Sequence, residues 1–201
     1  MASEYEPLFT DRRPEVDDLA AVRELFQAAS GPYLRSPVSW LSWAVILPGA
    51  ALATPAALQR LGPSGVLLTW SLAILAGGAV EITAIRRGGP PAGRSLLAAW
   101  ALRTQGNLSL VALVLSALLV WQDLAWALPG LWLLLLGHSF YILGGLSFAP
   151  FRPYGLLYQA GGLAALWPRG APLIAFALTA ATANLWMAYA VWRERLQGPV
   201  A

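Results

Sequence analysis

The chain has no cysteine, no lysine, one histidine, and charge on only 11% of its 201 residues. Each shortage removes a class of chemistry. Without cysteine there are no disulfides, no thiolate-bound metals and no iron–sulfur clusters. Without lysine, no Schiff base to retinal or pyridoxal phosphate forms on a lysine side chain. One histidine excludes two-histidine haem ligation within the chain. Glu81, Asp123 and Glu194 are the only acids between residues 38 and 195, so the ligand set for a zinc site falls short. No metal and no cofactor are expected. The GxSxG and HExxH patterns are absent, and GGPPAGR at 88–94 lacks the Lys-Ser/Thr ending of a phosphate loop. No basic patch interleaved with aromatics points to nucleic acid.

What is present is apolar. Apolar residues make up 58% of the chain and mean hydropathy is +0.59. A soluble domain carries charge on roughly 25% of its residues, so a chain this poor in charge must expose most of its surface to lipid. Six apolar segments follow one another: 38–58, 65–85, a third starting at 95 or 104 and ending near 121, then 129–148, 154–167 and 171–192. Pro48-Gly49 predicts a kink within the first. The fifth is short for a bilayer and needs its flanks or local thinning to cross. The expected fold is all-α: a polytopic membrane bundle of about six transmembrane helices over 38–195. A cytoplasmic N-terminal segment, 1–37, precedes it, and a tail, 196–201, follows.

The N-terminal segment differs in kind. It is polar and acidic, lacks an apolar core, and so does not read as a secretory signal. From Pro14 to Ser30 the pattern becomes helical: Pro14 suits a first turn, Glu15, Asp17 and Asp18 favour its positive end, and Gly31 suits a stop. Leu19, Val22, Leu25, Phe26 and Ala29 form one apolar stripe. A short amphipathic helix lying on the membrane or on the bundle ends is expected. The alternative is a docking helix for a soluble partner.

The net charge of +3 comes from thirteen arginines, and these sit at the ends of apolar runs. Alternating the segments across a bilayer puts eleven on one side and leaves Arg60 and Arg169 on the other. That asymmetry predicts both termini in the cytoplasm of a cell with a bacterial-type inner membrane. Tryptophans mark the boundaries, with Trp40, Trp43, Trp100 and Trp192 at cytoplasmic ends and Trp121, Trp126 and Trp167 at outer ones. Trp70, Trp132 and Trp186 lie deeper and read as packing residues.

The segments also look repetitive. Residues 63–86 align without gaps onto 168–191, each a turn, an apolar run and an arginine near the end, so three helical hairpins in one sense are expected. Their glycine-spaced first helices and arginine-terminated second helices, with LLLLGHSFYILGG at 133–145 and GGLAALWPRG at 161–170, resemble the HdeD-like acid-resistance membrane proteins. The resemblance covers roughly residues 40–195 and implies no catalytic residue. LPGLWLLLLG at 128–137, together with the acidic N-terminal helix, is similar to a group of uncharacterised bacterial membrane proteins.

The chemistry-bearing residues are few. His138 lies mid-segment on a stripe with Leu131, Leu134, Leu135, Tyr141, Ile142 and Gly145, and a polar group at that depth needs a partner. Tyr141 shares its helix, Gln105 and Asn107 lie on the third segment, and Asn184 on the sixth. Asn184 is the partner expected on depth. Two readings stay open: a satisfied structural network, or a ligand or proton-relay role. Glu81 is expected to pair with Arg103 on the next segment, since Arg86 is about 140° around its own helix. Gly77-Gly78, Gly144-Gly145 and Gly161-Gly162 are expected to allow close helix contact. The leading function is a non-enzymatic membrane protein of structural, stress-related or partner-binding type, with lipid and a homo-oligomeric or membrane partner. Alternatives are a small transporter or lipophilic-ligand binder using His138, and then an integral-membrane enzyme.

Overall fold

The computed structural model describes residues 21, 36–87, 96–146, 149–167 and 170–197, and these are helical with short turns and no strand. All but Ala21 of the amphipathic helix expected over 14–30 lies outside the described residues. Helix α1 covers Pro37–Arg87, α2 Leu96–Trp121, α3 Leu128–Leu146, α4 Phe151–Ala165 and α5 Pro172–Gln197, with a 3₁₀ turn at Ala125–Ala127 before α3. Four stretches are long and apolar enough to cross a membrane: Pro37–Ala84, Arg103–Trp121, Ala125–Gly145 and Pro172–Leu196. The protein is an integral membrane protein. In lipid only closed hydrogen-bonding patterns are tolerated, and helices provide them.

Helix α1 is two helices folded back on each other. Its backbone keeps helical angles through Pro48 and Pro55 and breaks at Gly62, where φ is 64° and ψ −156°. At Pro48-Gly49, where a kink is expected, the backbone keeps helical angles. A left-handed φ costs little only at glycine, so the turn falls where Gly62 is, directly before a proline. The arms, 37–61 and 63–87, meet where Trp70 Nε1 donates to Thr54 Oγ1 at 3.1 Å. Nearer the free ends, the Trp43 ring covers Gly77. The third helix begins by Leu96, the longer of the two expected starts, and packs against α3 as a second hairpin.

The two hairpins share one register. In the second, Trp132 Nε1 donates to Ser116 Oγ at 3.1 Å, and Ser139 Oγ donates to Gln105 Oε1 at 2.5 Å. Adding 62 to Trp43, Thr54, Trp70 and Gly77 gives Gln105, Ser116, Trp132 and Ser139. Even the back-bonds correspond: Thr54 Oγ1 donates to Ala50 O and Ser116 Oγ to Ala112 O. Trp70 and Trp132 are the packing residues their depth implied, whereas Trp186, expected with them, is exposed on the outside of the bundle.

Around these hairpins α3 packs along α4, α4 along α5, and α5 along α1, while α2 rests on α3 and the 3₁₀ turn at the edge. Small and aromatic residues fill the interior, and leucines and valines cover the outside. Ala51, Ala165, Ala180 and Ala183 are fully buried, while Val45, Leu67 and Leu75 are among the most exposed. That inversion suits lipid, where association relies on close backbone approach rather than on hiding apolar area.

Both ends of the bundle are recognisable. Trp40, in the first turn of α1, packs on Phe140 of α3 and on Phe151 and Tyr154 of α4. Ser36, Arg87 and Arg195 border one groove. The start of α1 thus lies with the ends of its second arm, of α3 and of α5. Arg86, Arg87, Arg152, Arg193 and Arg195 are exposed at this end, and Arg60 lies beside the Gly62 turn at the other. Trp121, Trp126 and Trp167 are exposed at that opposite end, where indoles favour the membrane boundary.

Candidate functional site

The closest helix contact comes from glycine. On α3, Gly130, Leu133, Gly137 and Gly144 form the buried face. A Cβ on Gly137 would lie 2.7 Å from Gly155 O and 2.8 Å from Gln159 N, and one on Gly130 would lie 2.9 Å from Gly162 O. Gly144 meets the backbone of Arg152, and Gly161 meets Thr179 of α5. Close contact at Gly77, Gly144, Gly161 and Gly162 matches the expectation, whereas Gly78 faces open space.

This face decides where His138 points. His138 follows Gly137 by one residue, about 100° around the helix, and is exposed on the outside of the bundle beside Tyr141 and Ile142. It does not meet Asn184, and no hydrogen bond to it is formed among the described residues. The inward orientation expected for His138 is corrected: glycine adds nothing to an apolar stripe, so the true contact face was the one with the fewest large side chains. Asn107 and Arg103 are exposed as well, and Gln105 is half-buried and bonded to Ser139. Replacing His138 with leucine should therefore change stability in detergent by less than about 0.5 kcal/mol. Thermal unfolding checks this, and a loss above about 2 kcal/mol would mean that the imidazole does pack.

Glu81 and Arg103 do not form the expected pair. Helix α1 packs on α5 rather than on α2, so the next segment in sequence is not the neighbour in space. The polar side chain within reach of the Glu81 carboxyl is Trp43, whose ring also covers Gly77 one turn earlier.

The buried polar centre is elsewhere. Asn184 of α5 is 1% exposed, and it joins Tyr154 and Tyr158 of α4, themselves 1% and 2% exposed. Tyr154 Oη donates to Asn184 Oδ1 at 2.9 Å, and Asn184 Nδ2 donates to Tyr158 Oη at 2.9 Å and to Ala180 O at 2.7 Å. One amide thus satisfies two phenols and ties two helices. Around it stands an aromatic cluster: Phe140 meets Tyr154 edge-on with centroids 4.8 Å apart, and Trp40 meets Tyr154 at 5.4 Å. Trp40 Nε1 is buried without a hydrogen-bond partner among the described residues.

Chemically the centre is quiet. It contains two phenols, an amide and an indole, and neither a carboxylate nor an imidazole with which to move a proton near neutral pH. The phenols and the amide are closed off from solvent and from lipid, while the Trp40 ring is half-buried. Among the described residues no cluster of His, Asp or Glu could hold a metal ion. Tyr154 and Tyr158 were missed by sequence reasoning. Their signal is the i, i+4 spacing beside Gly155 and Gly162, which puts two phenols near a glycine face. Comparison with protein-family models, curated proteins and solved structures gives no significant match.

Proposed function

We propose that this chain is a six-span protein of a bacterial-type inner membrane with both termini cytoplasmic, serving a structural or partner-binding role rather than an enzymatic one. The observation that carries this reading is the closed centre, in which every polar atom of Asn184 is engaged within the bundle. A transporter or ligand binder working at His138 would need a polar path to it; the imidazole instead faces outward.

The span count rests on three supports. The arms of α1 are each long enough to cross. Ser36 and Arg195 border the same groove, which favours an even number of crossings between them. Helix α4, at 15 residues, is about 22 Å long against a hydrocarbon core of about 30 Å, so its flanking turns or a thinner bilayer must supply the rest. The gathering of arginines at one end supports its cytoplasmic assignment. The likeness to HdeD-like proteins, and the stress-related role it brings, is proposed with the hairpin construction as its support.

The absence of native cysteine makes a direct test available. Arg60→Cys should react with a membrane-impermeant maleimide on intact cells, and Arg103→Cys only after permeabilisation. Ala180→Cys, at a site with 0% exposure, should react in neither case until the protein is denatured. Labelling of the first two from the same side would sink the six-span topology. Ready labelling at position 180 would sink the closed interior.

A further inference from the structure

A groove at the arginine-rich end pairs apolar walls with charge. It occupies about 490 Å³ between the free ends of the two α1 arms and the end of α5, within the roughly 300–1,000 Å³ common for ligand sites. Val38, Val80 and Ala84 supply apolar wall, Thr83 a hydroxyl, and Arg87 and Arg195 the charge. Val38, Val80 and Ala84 belong to a stretch apolar enough to lie in the membrane, whereas Arg87 falls just beyond it and Arg195 is the penultimate residue of the stretch Pro172–Leu196. Both arginines are exposed, and Arg86, Arg193 and Glu194 are exposed nearby. Apolar wall and cation therefore follow one another along the membrane normal, in the order of an acyl chain and its headgroup phosphate.

We propose that this groove binds an anionic phospholipid, with an acyl chain along Val38, Val80 and Ala84 and the phosphate held between Arg87 and Arg195. Arginine presents donors in a fork that matches phosphate oxygens, and basic pockets between helices at the cytoplasmic face are suited to anionic headgroups. The chain's own acidic residues, Glu15, Asp17 and Asp18 among them, carry the right charge but not the right body. A polar peptide segment in this groove would leave backbone groups unpaired against the apolar wall. The inference rests on the membrane reading above, and carbonate-resistant membrane association, measured first on the same preparations, tests that reading by itself.

The purified full-length protein is equilibrated with equal amounts of phosphatidylglycerol and phosphatidylcholine, and retained lipid is counted by native mass spectrometry. Wild-type protein should retain phosphatidylglycerol over phosphatidylcholine by roughly tenfold. The Arg87→Gln/Arg195→Gln variant should bring that ratio close to one, and Arg87→Lys/Arg195→Lys should keep most of it. Arg86→Gln/Arg193→Gln, which changes arginines at the same end but outside the groove, should leave the preference intact. Melting temperatures of all variants separate a lost site from a lost fold, and the lysine variant carries the test where the glutamine variant fails to fold. A wild-type ratio near one, or equal losses in the two glutamine variants, overturns the proposal. Displacement of lipid by excess glycerol phosphate would reassign the groove to soluble phosphates. Selectivity gained only on Asp17→Asn/Asp18→Asn would assign it to the chain's own N-terminal segment, and either result overturns the lipid.

Discussion

Replacing Gly137 with valine is expected to cost roughly 2–4 kcal/mol of stability. The added Cβ would meet Gly155 O at 2.7 Å and Gln159 N at 2.8 Å. Both are backbone atoms of α4, so no rotamer change can make room, and the helices must separate along their length. Separation would also pull Phe140 from the ring of Tyr154 and strain the link from α4 to Asn184. Gly78→Ala is the control on the same chemistry. Its Cβ would meet nothing within 4 Å, so it should be neutral or gain about 0.5–1 kcal/mol from the lower entropy of the unfolded chain. Unfolding in detergent by heat or by denaturing detergent measures both. Equal stability of the two variants would mean that α3 and α4 are not held by glycine contact.

That contact explains why the membrane character was legible in the sequence and the orientation of α3 was not. Apolar runs ended by arginine, proline and glycine locate the helices to within a few residues, because crossing lipid constrains length and composition directly. Which face turns inward is another matter. In water the larger apolar residues mark the buried face, and the stripe through Leu131, Leu134, His138 and Tyr141 follows that rule. In lipid large side chains are as well placed outside, and the inner face goes to residues that let backbones approach. The glycine doublets pointed in that direction, and Gly144, Gly161 and Gly162 do lie at helix contacts.

The pairing of helices was legible only in part. Hairpins were expected from a likeness between 63–86 and 168–191, yet the clearest recurrence of contacts is the shift of 62 between the first and second hairpins. It preserves Trp70 as Trp132 and Ala50 as Ala112, exchanges Thr54 for Ser116, and replaces a ring over Gly77 by the Ser139–Gln105 bond. A register kept with so few identities appears in geometry before it appears in an alignment. The expected Glu81–Arg103 pair failed for a related reason: chain order suggested neighbours, whereas α1 takes α5 as its partner. The polar centre was half visible. Asn184 stood out as an amide in an apolar run, but its phenolic partners, Tyr154 and Tyr158, carry no polar signal of their own among so many apolar and aromatic residues.

Asn184→Leu is the second change with a large expected effect, and its size depends on what is left behind rather than on the bonds removed. An intact interhelical hydrogen bond within a membrane is worth only about 0.6 kcal/mol on average. Tyr154→Phe/Tyr158→Phe, which removes two such bonds and leaves the Asn184 amide only its bond to Ala180 O, strands Oδ1 and one N–H of the buried amide and should cost about 2–4 kcal/mol. Asn184→Leu removes the same two bonds and strands two phenols at 1% and 2% exposure. A buried unsatisfied polar group costs about 1–3 kcal/mol, so the single change should cost about 2–4 kcal/mol. Combining all three substitutions leaves no stranded hydroxyl, and replacing every partner by apolar groups is close to neutral. The triple variant should therefore be more stable than Asn184→Leu alone by about 1–3 kcal/mol, although it carries more changes. Melting temperatures of the four proteins in one detergent decide the matter. A triple variant no more stable than the single one would show that Asn184 acts through its shape, and that the phenols find other partners when it is gone.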